Sequence, residues 1–340
     1  MAWYADSKAN QTPVISSRVR LARNVRKYPF GIKLNADGAR AMMAEAKDAL
    51  GQGSQDFTFV TLEDKSPVES RVYLERHLVS PAFLAQELPK GILVREDEGL
   101  SVLLNEEDHL RIQSVQPGDG LDEAWAQADQ LDNRLEQSLE YAFHSEYGYL
   151  TSCPTNAGTG LRASFMIHLP MLERSGQMRN IFDVVSKFGM TIRGIYGEGT
   201  EPLGSIYQIS NQVTMGKSEQ DILTGLKNIT GQIIEKENLL SAKFLEGYRR
   251  VLEDQVYRSY ALLAHSRVMT AKEAMGLLSN VRWGYMTGVL REALPDRSLY
   301  RLMMDIQPAS LQHSCGRELA EEERDRERAD LLRGAFEVKP

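Results

Sequence analysis

Residues 14–22 of the sequence read VISSRVRLA, and prediction of the fold begins with this stretch. Its polar and apolar side chains alternate, a pattern that predicts an extended segment. Successive residues of a strand point to opposite faces, so Arg18 and Arg20 are expected on the same face. The stretch therefore predicts a strand that carries two guanidinium groups side by side.

Further segments add helices and strands to the first two thirds of the chain. Apolar residues spaced three and four apart predict an amphipathic helix over 122–143, and a shorter helix over 37–50 has Asp37 as its predicted cap. Ser218 with Asp221 predicts the start of another helix. Strand-like runs occur at 57–62, 100–104, 111–115, 163–169, 189–196 and 205–214. Several strands between a few long helices indicate the α+β class.

The character of the sequence changes after about residue 241, where strand signals disappear. Helical patterns follow at 242–265, 270–279, 282–294 and 317–333. We therefore predict a short tail over 1–12, an α+β domain over 13–245 and an all-α C-terminal domain over 246–340.

Composition narrows the class of protein. The 340 residues include 40 Lys and Arg against 47 Asp and Glu, and the formal net charge of −7 argues against a protein that coats nucleic acid. The two cysteines, Cys153 and Cys315, form neither a CxxC pair nor a disulfide scaffold, so a reducing cytosol is expected. Neither a signal peptide nor a run of about 18 apolar residues is recognisable, so we expect a soluble cytoplasmic protein without membrane contact.

Glycine-rich phosphate loops are missing, which leaves arginines as the candidates for anion binding. The sequence contains no GxxxxGK[ST], GxGxxG, GxSxG, HExxH or HRD/DFG motif. Guanidinium groups bind phosphate oxygens bidentately and stay charged at any working pH. The arginines that lie in predicted strands or beside glycine turns are Arg18, Arg20, Arg111, Arg162 and Arg193. Each of them alone is more readily explained as an ordinary surface or salt-bridge arginine, although the apolar surroundings of Arg18 and Arg193 favour a functional role.

Three consecutive carboxylates lie in NEEDH, at 105–109, between two predicted strands. They repel one another unless a cation or solvent balances them. The segment is open to three interpretations: a Mg²⁺ site, a carboxylate that orients a cationic substrate and accepts its proton, or a solvated turn. Glu198 lies in a second glycine-bounded turn. Cys153 lies in the polar turn TSCPTNAGTG, where it is either a small buried thiol or a neighbour of the substrate.

Four motifs follow one another along the chain: SSRVRLARN at 16–24, NEEDHLRI at 105–112, TSCPTNAGTGLRAS at 151–164 and RGIYGEG at 193–199. Together they resemble the motifs of the phosphagen (guanidino) kinase family, over about residues 13–240. The segments at 195–222 and RDRERA at 324–329 are most similar to the bacterial protein arginine kinase branch. The resemblance implies a mainly antiparallel sheet flanked by helices, followed by a helical domain that mediates dimerisation.

The resemblance also assigns residues to an ATP site. It implies that the five arginines hold the phosphates of ATP, that Mg²⁺ takes part without a protein ligand of its own, and that His77 lies near the nucleotide. The implied lining of the nucleotide site is Ser16, Ser17, Val19, Ala163, Ser164, Phe165, Met166, Gly194, Ile195, Tyr196, Gly197 and Glu198. Glu107 and Glu198 would clamp the guanidinium of the acceptor, with Glu107 as the principal base and Cys153 beside it.

Two features differ from the small-molecule members of the family. Those enzymes carry a helical domain before the SSRVR-type motif, for which the 15 residues before Ser16 leave no room, and a histidine where this chain has Gly199. Both differences imply an open site that admits an arginine of a protein. The expected reaction is ATP-dependent phosphorylation of protein arginines. The nearest alternative is a kinase for a free guanidino compound such as arginine, and more distant ones are a non-catalytic phosphoarginine reader and a carboxylate–metal hydrolase.

In the arginine kinase branch, the segment that matches RDRERA binds phosphoarginine. The resemblance therefore implies an allosteric pocket at Arg324, Asp325, Arg328 and Ala329. Arg324 and Arg328 are four residues apart, so we expect them on the same face of a helix. The alternative is a solvated helix with weak ion pairs. The implied partners are proteins with exposed arginines, a heat-shock transcriptional repressor that becomes inactivated, a zinc-binding activator protein, a Clp-type ATPase/protease that degrades marked clients, and a second copy in a homodimer. No direct contact with nucleic acid is expected.

Overall fold

The structure is a computed structural model that describes residues 2–6, 10–51, 56–194, 202–292 and 294–337. Its strands are β1 (Val14–Arg23), β2 (Phe57–Thr61), β3 (Gly91–Arg95), β4 (Leu100–Leu104), β5 (Leu110–Pro117), β6 (Phe143–His144), β7 (Gly148–Tyr149), β8 (Leu161–His168), β9 (Met190–Gly194) and β10 (Ile206–Asn211). Its α-helices are α1 (Ala36–Gly51), α2 (Pro67–Glu75), α3 (Pro81–Ala85), α4 (Leu121–Glu136), α5 (Pro170–Arg174), α6 (Met178–Lys187), α7 (Glu219–His265), α8 (Ala271–Met286), α9 (Leu299–Asp305), α10 (Pro308–Cys315) and α11 (Glu321–Phe336).

Eight strands form one sheet, in the order β2-β3-β4-β5-β1-β8-β10-β9, while β6 and β7 form a separate hairpin. The strands from β2 to β5 pair antiparallel, and their registers set Ile92 opposite Leu103 and Val102 opposite Ile112. Helix α4 packs on β5, and α1 packs on α4. The prediction of a mainly antiparallel sheet flanked by helices, followed by a helical C-terminal region, is confirmed.

Contacts divide the chain into two compact units. The first consists mainly of Ser17–Ser164 and Ser210–Lys227, and the second of Tyr4–Ser16, Phe165–Ile209 and Asn228–Pro340. The predicted domain boundary near residue 245 falls inside α7, close to Tyr248, whose backbone is non-helical (φ −135°, ψ 26°). The grouping of contacts follows a different division, and the predicted domains over 13–245 and 246–340 stay a prediction.

The predicted helix over 122–143 is too long, because α4 ends at Glu136. Its apolar spacing continues through Leu139 and Ala142, and both residues are buried. They are not buried as part of the helix, because the chain has already left it. The amide of Ala142 donates to the carbonyl of Asn24, and the amide of Leu150 donates to the carbonyl of Ala142. The apolar spacing thus continued across a change from helix to extended backbone.

Two other helix predictions need correction, and one is confirmed. The helix predicted over 282–294 does not exist as a separate element, because α8 continues from Ala271 through Met286. The start of α1 is capped by Asn35, whose Oδ1 accepts from the amide of Gly38 at 2.8 Å, and not by Asp37. The capping box of α7 forms as predicted, since the Ser218 hydroxyl accepts from the Asp221 amide at 3.1 Å.

No helix in the described part of the chain is both long enough and apolar enough to cross a bilayer. Apolar side chains of the sheet instead form the core of the first unit. Val19, Leu21, Val102, Leu104 and Ile112 are all fully buried. The same strands carry the polar side chains of the candidate site.

Candidate active site

Four arginines come together in the first unit. Strand β1 alternates as predicted: Arg18 and Arg20 are half-buried, while Val19 between them is fully buried. Arg111 lies on β5 and Arg162 on β8, and these two strands flank β1 in the sheet. The strand order therefore explains why side chains so far apart in the sequence converge.

The electrostatics of Arg20 show how close this cluster is. Burial lowers the pKa of Arg20 well below its usual value, and the positive charges of Arg18, Arg111 and Arg162 lower it further, against the opposing effect of Glu106. The buried Nε of Arg20 has no hydrogen-bond partner among the described residues. A half-buried guanidinium among like charges, with one buried nitrogen that has no hydrogen-bond partner, is unfavourable unless an anion binds there. The cluster therefore fits a polyanion such as the phosphates of a nucleotide.

Glu106 belongs to the arginine cluster. Its carboxylate forms an ion pair with Arg111 and accepts a hydrogen bond from the Ser80 hydroxyl at 2.6 Å. Burial raises the pKa of Glu106, but Arg111, Ser80 and Arg20 outweigh it and hold the pKa below the ordinary value. Glu106 is thus a permanently charged residue that positions the Arg111 guanidinium.

Glu107, the next residue, has a different environment. Burial raises its pKa, the neighbouring Asp108 and Glu106 raise it further, and Arg111 with the Cys153 thiol partly opposes them. The Cys153 thiol lies near this carboxylate and favours its charged form. Glu107 is therefore a more basic carboxylate than an ordinary glutamate, and its role and that of Cys153 toward the acceptor stay predictions.

Asp108 holds the turn in shape. Its Oδ1 accepts from the Asn24 side chain and from the backbone amide of Ser152, each at 2.6 Å. Asn105 has a positive φ of 60°, and its amide donates to the carbonyl of His109 to close the turn. The segment NEEDH is therefore an ordered turn in which Asn105, Asp108 and His109 are buried, whereas Glu107 is exposed to solvent.

The carboxylates of Glu106, Glu107 and Asp108 therefore have different partners and do not form one cation site. No group of three or more His, Cys, Asp or Glu side chains placed to hold a metal ion occurs in the parts of the chain that the structure describes. The residues present here do not form a protein cage for Mg²⁺, whose sites usually combine carboxylates with substrate phosphates.

His77 lies at the edge of this cluster. It has a positive φ of 60°, and its carbonyl accepts from the Gln113 side chain at 3.0 Å. Burial and the charge of Arg18 lower the pKa of His77 to about 3, so its imidazole is neutral at physiological pH. A neutral imidazole next to Arg18 is consistent with the predicted position near a nucleotide.

Several predicted lining residues have buried side chains. The Ser17 hydroxyl donates to the Gly118 carbonyl at 2.7 Å and accepts from the Gly120 amide at 3.0 Å. The amide of Ala163 donates to the Asn211 side chain at 2.8 Å. The side chains of Val19, Ala163 and Ser164 are buried in the first unit. Their proximity to a nucleotide stays a prediction. Because these side chains are buried, a contact with a nucleotide would involve mainly their backbone atoms.

The other residues predicted to line the nucleotide site are grouped in the second unit or fall outside the described residues. Ser16, Phe165, Met166, Arg193 and Gly194 belong to the second unit, where Arg193 and Gly194 end strand β9. Predictions for Ile195, Tyr196, Gly197 and Glu198 fall outside the described residues. Their roles stay predictions.

The RDRERA segment forms part of α11, but its side chains are not arranged as expected. Arg328 is almost fully buried and does not share a solvent-facing surface with Arg324. Its guanidinium donates to the carbonyls of Met269 and Ile306, each at 2.9 Å, and pairs with Asp325 at 2.5 Å. Arg324 donates to the carbonyl of Leu319 at 2.8 Å. Arg328 therefore ties α11 to the neighbouring segments, and Ala329 beside it is buried.

Sequence reasoning missed the residues that support the site. Ser80 binds Glu106, and Asn24 both binds Asp108 and accepts from the amide of His109 at 3.0 Å. Ser80 precedes a proline at the start of α3, where its hydroxyl accepts from the Phe83 amide, so only a helix cap was recognisable. Asn24 ends the SSRVRLARN motif, but nothing local indicates that it reaches residues 84 and 85 positions further on.

Comparison with known families gives two matches that follow one another along the chain. Residues 39–240 match the family model "ATP:guanido phosphotransferase, C-terminal catalytic domain". Residues 249–340 match the model "Protein-arginine kinase McsB C-terminal domain".

Curated relatives match over almost the whole length. A protein-arginine kinase of Caldanaerobacter subterraneus subsp. tengcongensis is 45% identical over 324 residues, covering 94% of this chain and 95% of the relative. A protein-arginine kinase of Halalkalibacterium halodurans is 42% identical over 340 residues, covering 99% and 95%.

Solved structures share the fold of the sheet. A lombricine kinase aligns with a TM-score of 0.61 and 25% identity, over 72% of this chain and 70% of that one. A duplicated taurocyamine kinase from Schistosoma mansoni, solved with components of a transition-state analogue, aligns with a TM-score of 0.62 and 27% identity. This chain spans only 39% of that duplicated protein and is covered over 75% of its own length.

Proposed function

Because the chain belongs to the ATP:guanido phosphotransferase family, in its protein-arginine kinase branch, we propose that it transfers the γ-phosphoryl group of ATP to arginine side chains of proteins. One observation carries the proposal: four arginines cluster on three neighbouring strands, and a carboxylate with a raised pKa lies at the end of one of them. Arg20 is coupled electrostatically to Arg18, Arg111, Arg162 and Glu106, and Glu107 directly follows Glu106.

The arginines would act on the phosphates. Charge in the transferring phosphoryl group spreads over its equatorial oxygens, and fixed cations stabilise it more strongly in a water-poor site than in solution. Arg18, Arg20, Arg111 and Arg162 supply such cations, and Glu106 holds Arg111 in place. Arg193 is the fifth member of the proposed set.

Glu107 would act on the acceptor. An arginine side chain is a poor nucleophile, because its pKa exceeds about 12 and its lone pairs are delocalised. A guanidinium nitrogen attacks the γ-phosphorus, the bond from that phosphorus to the bridging oxygen of ADP breaks, and the nitrogen loses a proton. Glu107 accepts this proton, and its raised pKa makes it better suited to do so. Glu198 is the proposed second clamp of the guanidinium.

Mg²⁺ belongs to the proposal only as an ion carried by the nucleotide. Glu106 is paired with Arg111, and Asp108 is bonded to Asn24 and the Ser152 amide, so neither carboxylate is available as a ligand without breaking these contacts. None of the proposed steps involves a metal ion held by the protein.

The nearest alternative is transfer to free arginine or another small guanidino compound. The two are separated by incubating the chain with ATP and either an unfolded arginine-rich protein or free arginine. Products are identified by mass spectrometry without acid, because the P–N bond is acid-labile. Phosphoarginine in the protein supports the proposal. Phosphorylation of free arginine alone establishes the alternative, and release of inorganic phosphate without a phosphorylated acceptor indicates a hydrolase.

The wider role is proposed on the resemblance of the sequence motifs. We propose a cytoplasmic homodimer that marks proteins with exposed arginines for a Clp-type ATPase/protease, inactivates a heat-shock transcriptional repressor and responds to a zinc-binding activator protein. Phosphoarginine binding at Arg324 and Asp325 is the proposed allosteric input. Light scattering of the purified chain tests the dimer, and calorimetry with free phosphoarginine tests the allosteric site.

A further inference from the structure

Large apolar side chains are exposed on both sides of the loop that carries Cys153. Phe143 and Tyr147 belong to the β6–β7 hairpin, and Val213 and Met215 follow β10. Their exposed fractions are 51%, 47%, 43% and 47%. We call these four side chains the apolar strip. Exposed apolar groups that cluster on a soluble protein mark a surface that contacts something else.

Close backbone packing brings the two halves of the strip together. The amide of Tyr149 donates to the Gly158 carbonyl at 2.8 Å, and the amide of Gly158 donates back to the Tyr149 carbonyl at 3.2 Å. A Cβ at Gly148 would lie 2.5 Å from the Gly158 oxygen, and a Cβ at Gly158 would lie 2.9 Å from the Cα of Met215. Only glycines fit these two positions, so the hairpin and the Met215 segment contact the same loop.

The same loop leads directly to the proposed catalytic residues. The Thr214 hydroxyl contacts the carbonyl oxygens of Thr155 and Ala157, at 3.0 and 2.6 Å. Thr155 Oγ1 in turn lies 3.0 Å from Cys153 Sγ, and the Cys153 thiol lies near the Glu107 carboxylate. The strip is therefore joined to the proposed catalytic site by a short and continuous set of contacts.

We propose that the apolar strip binds the polypeptide substrate on either side of the arginine that is phosphorylated. This inference rests on the proposed function. The ring of Phe143 packs against that of Tyr149, with centroids 5.3 Å apart. Tyr149 and Cys153 are four residues apart, so the length of the chain keeps their Cα atoms within ~14 Å of each other. An extended peptide covers that distance with about four residues, whereas a free guanidino compound is too short to reach it.

The chemistry of the strip selects the kind of segment that fits. Its side chains are aromatic and aliphatic, so they favour apolar residues, and these are exposed in unfolded proteins but buried in folded ones. The strip therefore distinguishes an arginine flanked by apolar residues from one flanked by polar residues. In this way it would direct the enzyme toward unfolded clients without any contact to the guanidinium itself.

Two peptides of about twelve residues test the inference, since that length spans both sides of the site. Each carries one central arginine, flanked by Phe and Leu in the first peptide and by Ser in the second. The variants are the double variant Phe143→Ser/Tyr147→Ser and, on the other side of the loop, Met215→Ser. The matched controls are Phe188→Ser and Tyr248→Ser, which replace aromatic residues of the second unit that are 54% and 61% exposed.

Binding is measured by fluorescence anisotropy, and KM and kcat by peptide phosphorylation. We expect the double variant to bind the apolar-flanked peptide about tenfold more weakly and Met215→Ser several-fold more weakly, with kcat nearly unchanged. Binding of the serine-flanked peptide and the behaviour of both controls should not change.

Three results would overturn the inference: equal affinity of wild type and strip variants for the apolar-flanked peptide, the same loss for both peptides, or a change of oligomeric state without a change in peptide affinity. The last result would assign the strip to a second copy of the chain. Because anisotropy needs no turnover, an enzyme that phosphorylates no peptide refutes the proposed function separately.

Discussion

The thiol of Cys153 lies near the carboxylate of Glu107 and lowers its pKa, and this relationship joins two of the four sequence motifs. The thiol favours the charged form of Glu107, whereas burial and the neighbouring carboxylates favour its protonated form. The pKa of Glu107 is the balance of these effects and lies above the usual value. A carboxylate of this kind is suited to take a proton from a guanidinium held in front of it.

Replacing Glu107 tests its role as the base. We expect Glu107→Gln to lower kcat by about 10²–10⁴-fold, because a positioned acid–base group contributes about that much. ATP binding, measured by calorimetry, should change less than about twofold, since the arginines are untouched. Glu123→Gln is a suitable control, as Glu123 is exposed on α4. Turnover close to that of wild type in Glu107→Gln would remove Glu107 from the mechanism.

The pH dependence tests the contact between Cys153 and Glu107. Glu107 must be charged to accept a proton, so activity falls as the pH drops through its pKa, which is raised above that of an ordinary glutamate. Cys153→Ala removes a donor that lowers this pKa, so the acidic limb of the kcat/KM profile should move to higher pH. Cys153→Ser keeps a donor and should restore the limb. Identical profiles for Cys153→Ala and wild type would show that the thiol does not act on Glu107.

The arginine cluster predicts a conflict between stability and ATP binding. Burial and three neighbouring arginines lower the pKa of Arg20, which means that its charge is unfavourable when no anion is bound. Arg20→Met should therefore leave the free energy of unfolding unchanged or raise it by about 1–3 kcal/mol without ATP. The same variant should lose most of the rise in melting temperature that ATP gives to the wild type. A destabilised variant with intact ATP binding would contradict this assignment.

Arg328 and Arg324 are predicted to differ although both belong to the same sequence motif. Arg328→Ala leaves the carbonyls of Met269 and Ile306 and the carboxylate of Asp325 without their donor, so we expect a loss of about 3 kcal/mol in denaturant unfolding. Arg324→Ala removes one partly exposed hydrogen bond and should cost less than about 1 kcal/mol. If phosphoarginine binds here, Arg324→Ala should weaken it without unfolding the chain. Equal stability losses in both variants would contradict the burial of Arg328.

The sequence was sufficient for several of the strands and helices and for the clustering of some of the charged residues. Alternation in VISSRVRLA predicted the common face of Arg18 and Arg20, because a side-chain period of two is a local property of a strand. The motifs predicted that Arg111 and Arg162 join them, and the strand order β5-β1-β8 gives the physical reason. None of these predictions needed knowledge of a distant contact.

Predictions failed where tertiary contacts override a local pattern. The apolar spacing of 122–143 continued through Leu139 and Ala142, but the chain had already left the helix at Glu136. The helical spacing of Arg324 and Arg328 suggested one shared face, but Arg328 is buried by segments that are distant in the sequence. The separate roles of Glu106 and Glu107 were also not predictable, since they depend on Ser80, Arg111 and Cys153.

The most direct test follows labelled γ-phosphate from ATP into an unfolded protein substrate, in a single turnover, for wild type and Glu107→Gln at equal ATP occupancy. A carboxylate that takes the guanidinium proton predicts acid-labile label on arginine with the wild type, and a rate lower by at least about 100-fold with the variant. Equal transfer rates at equal occupancy, or label that stays on the protein in acid, would contradict arginine phosphorylation with Glu107 as the base.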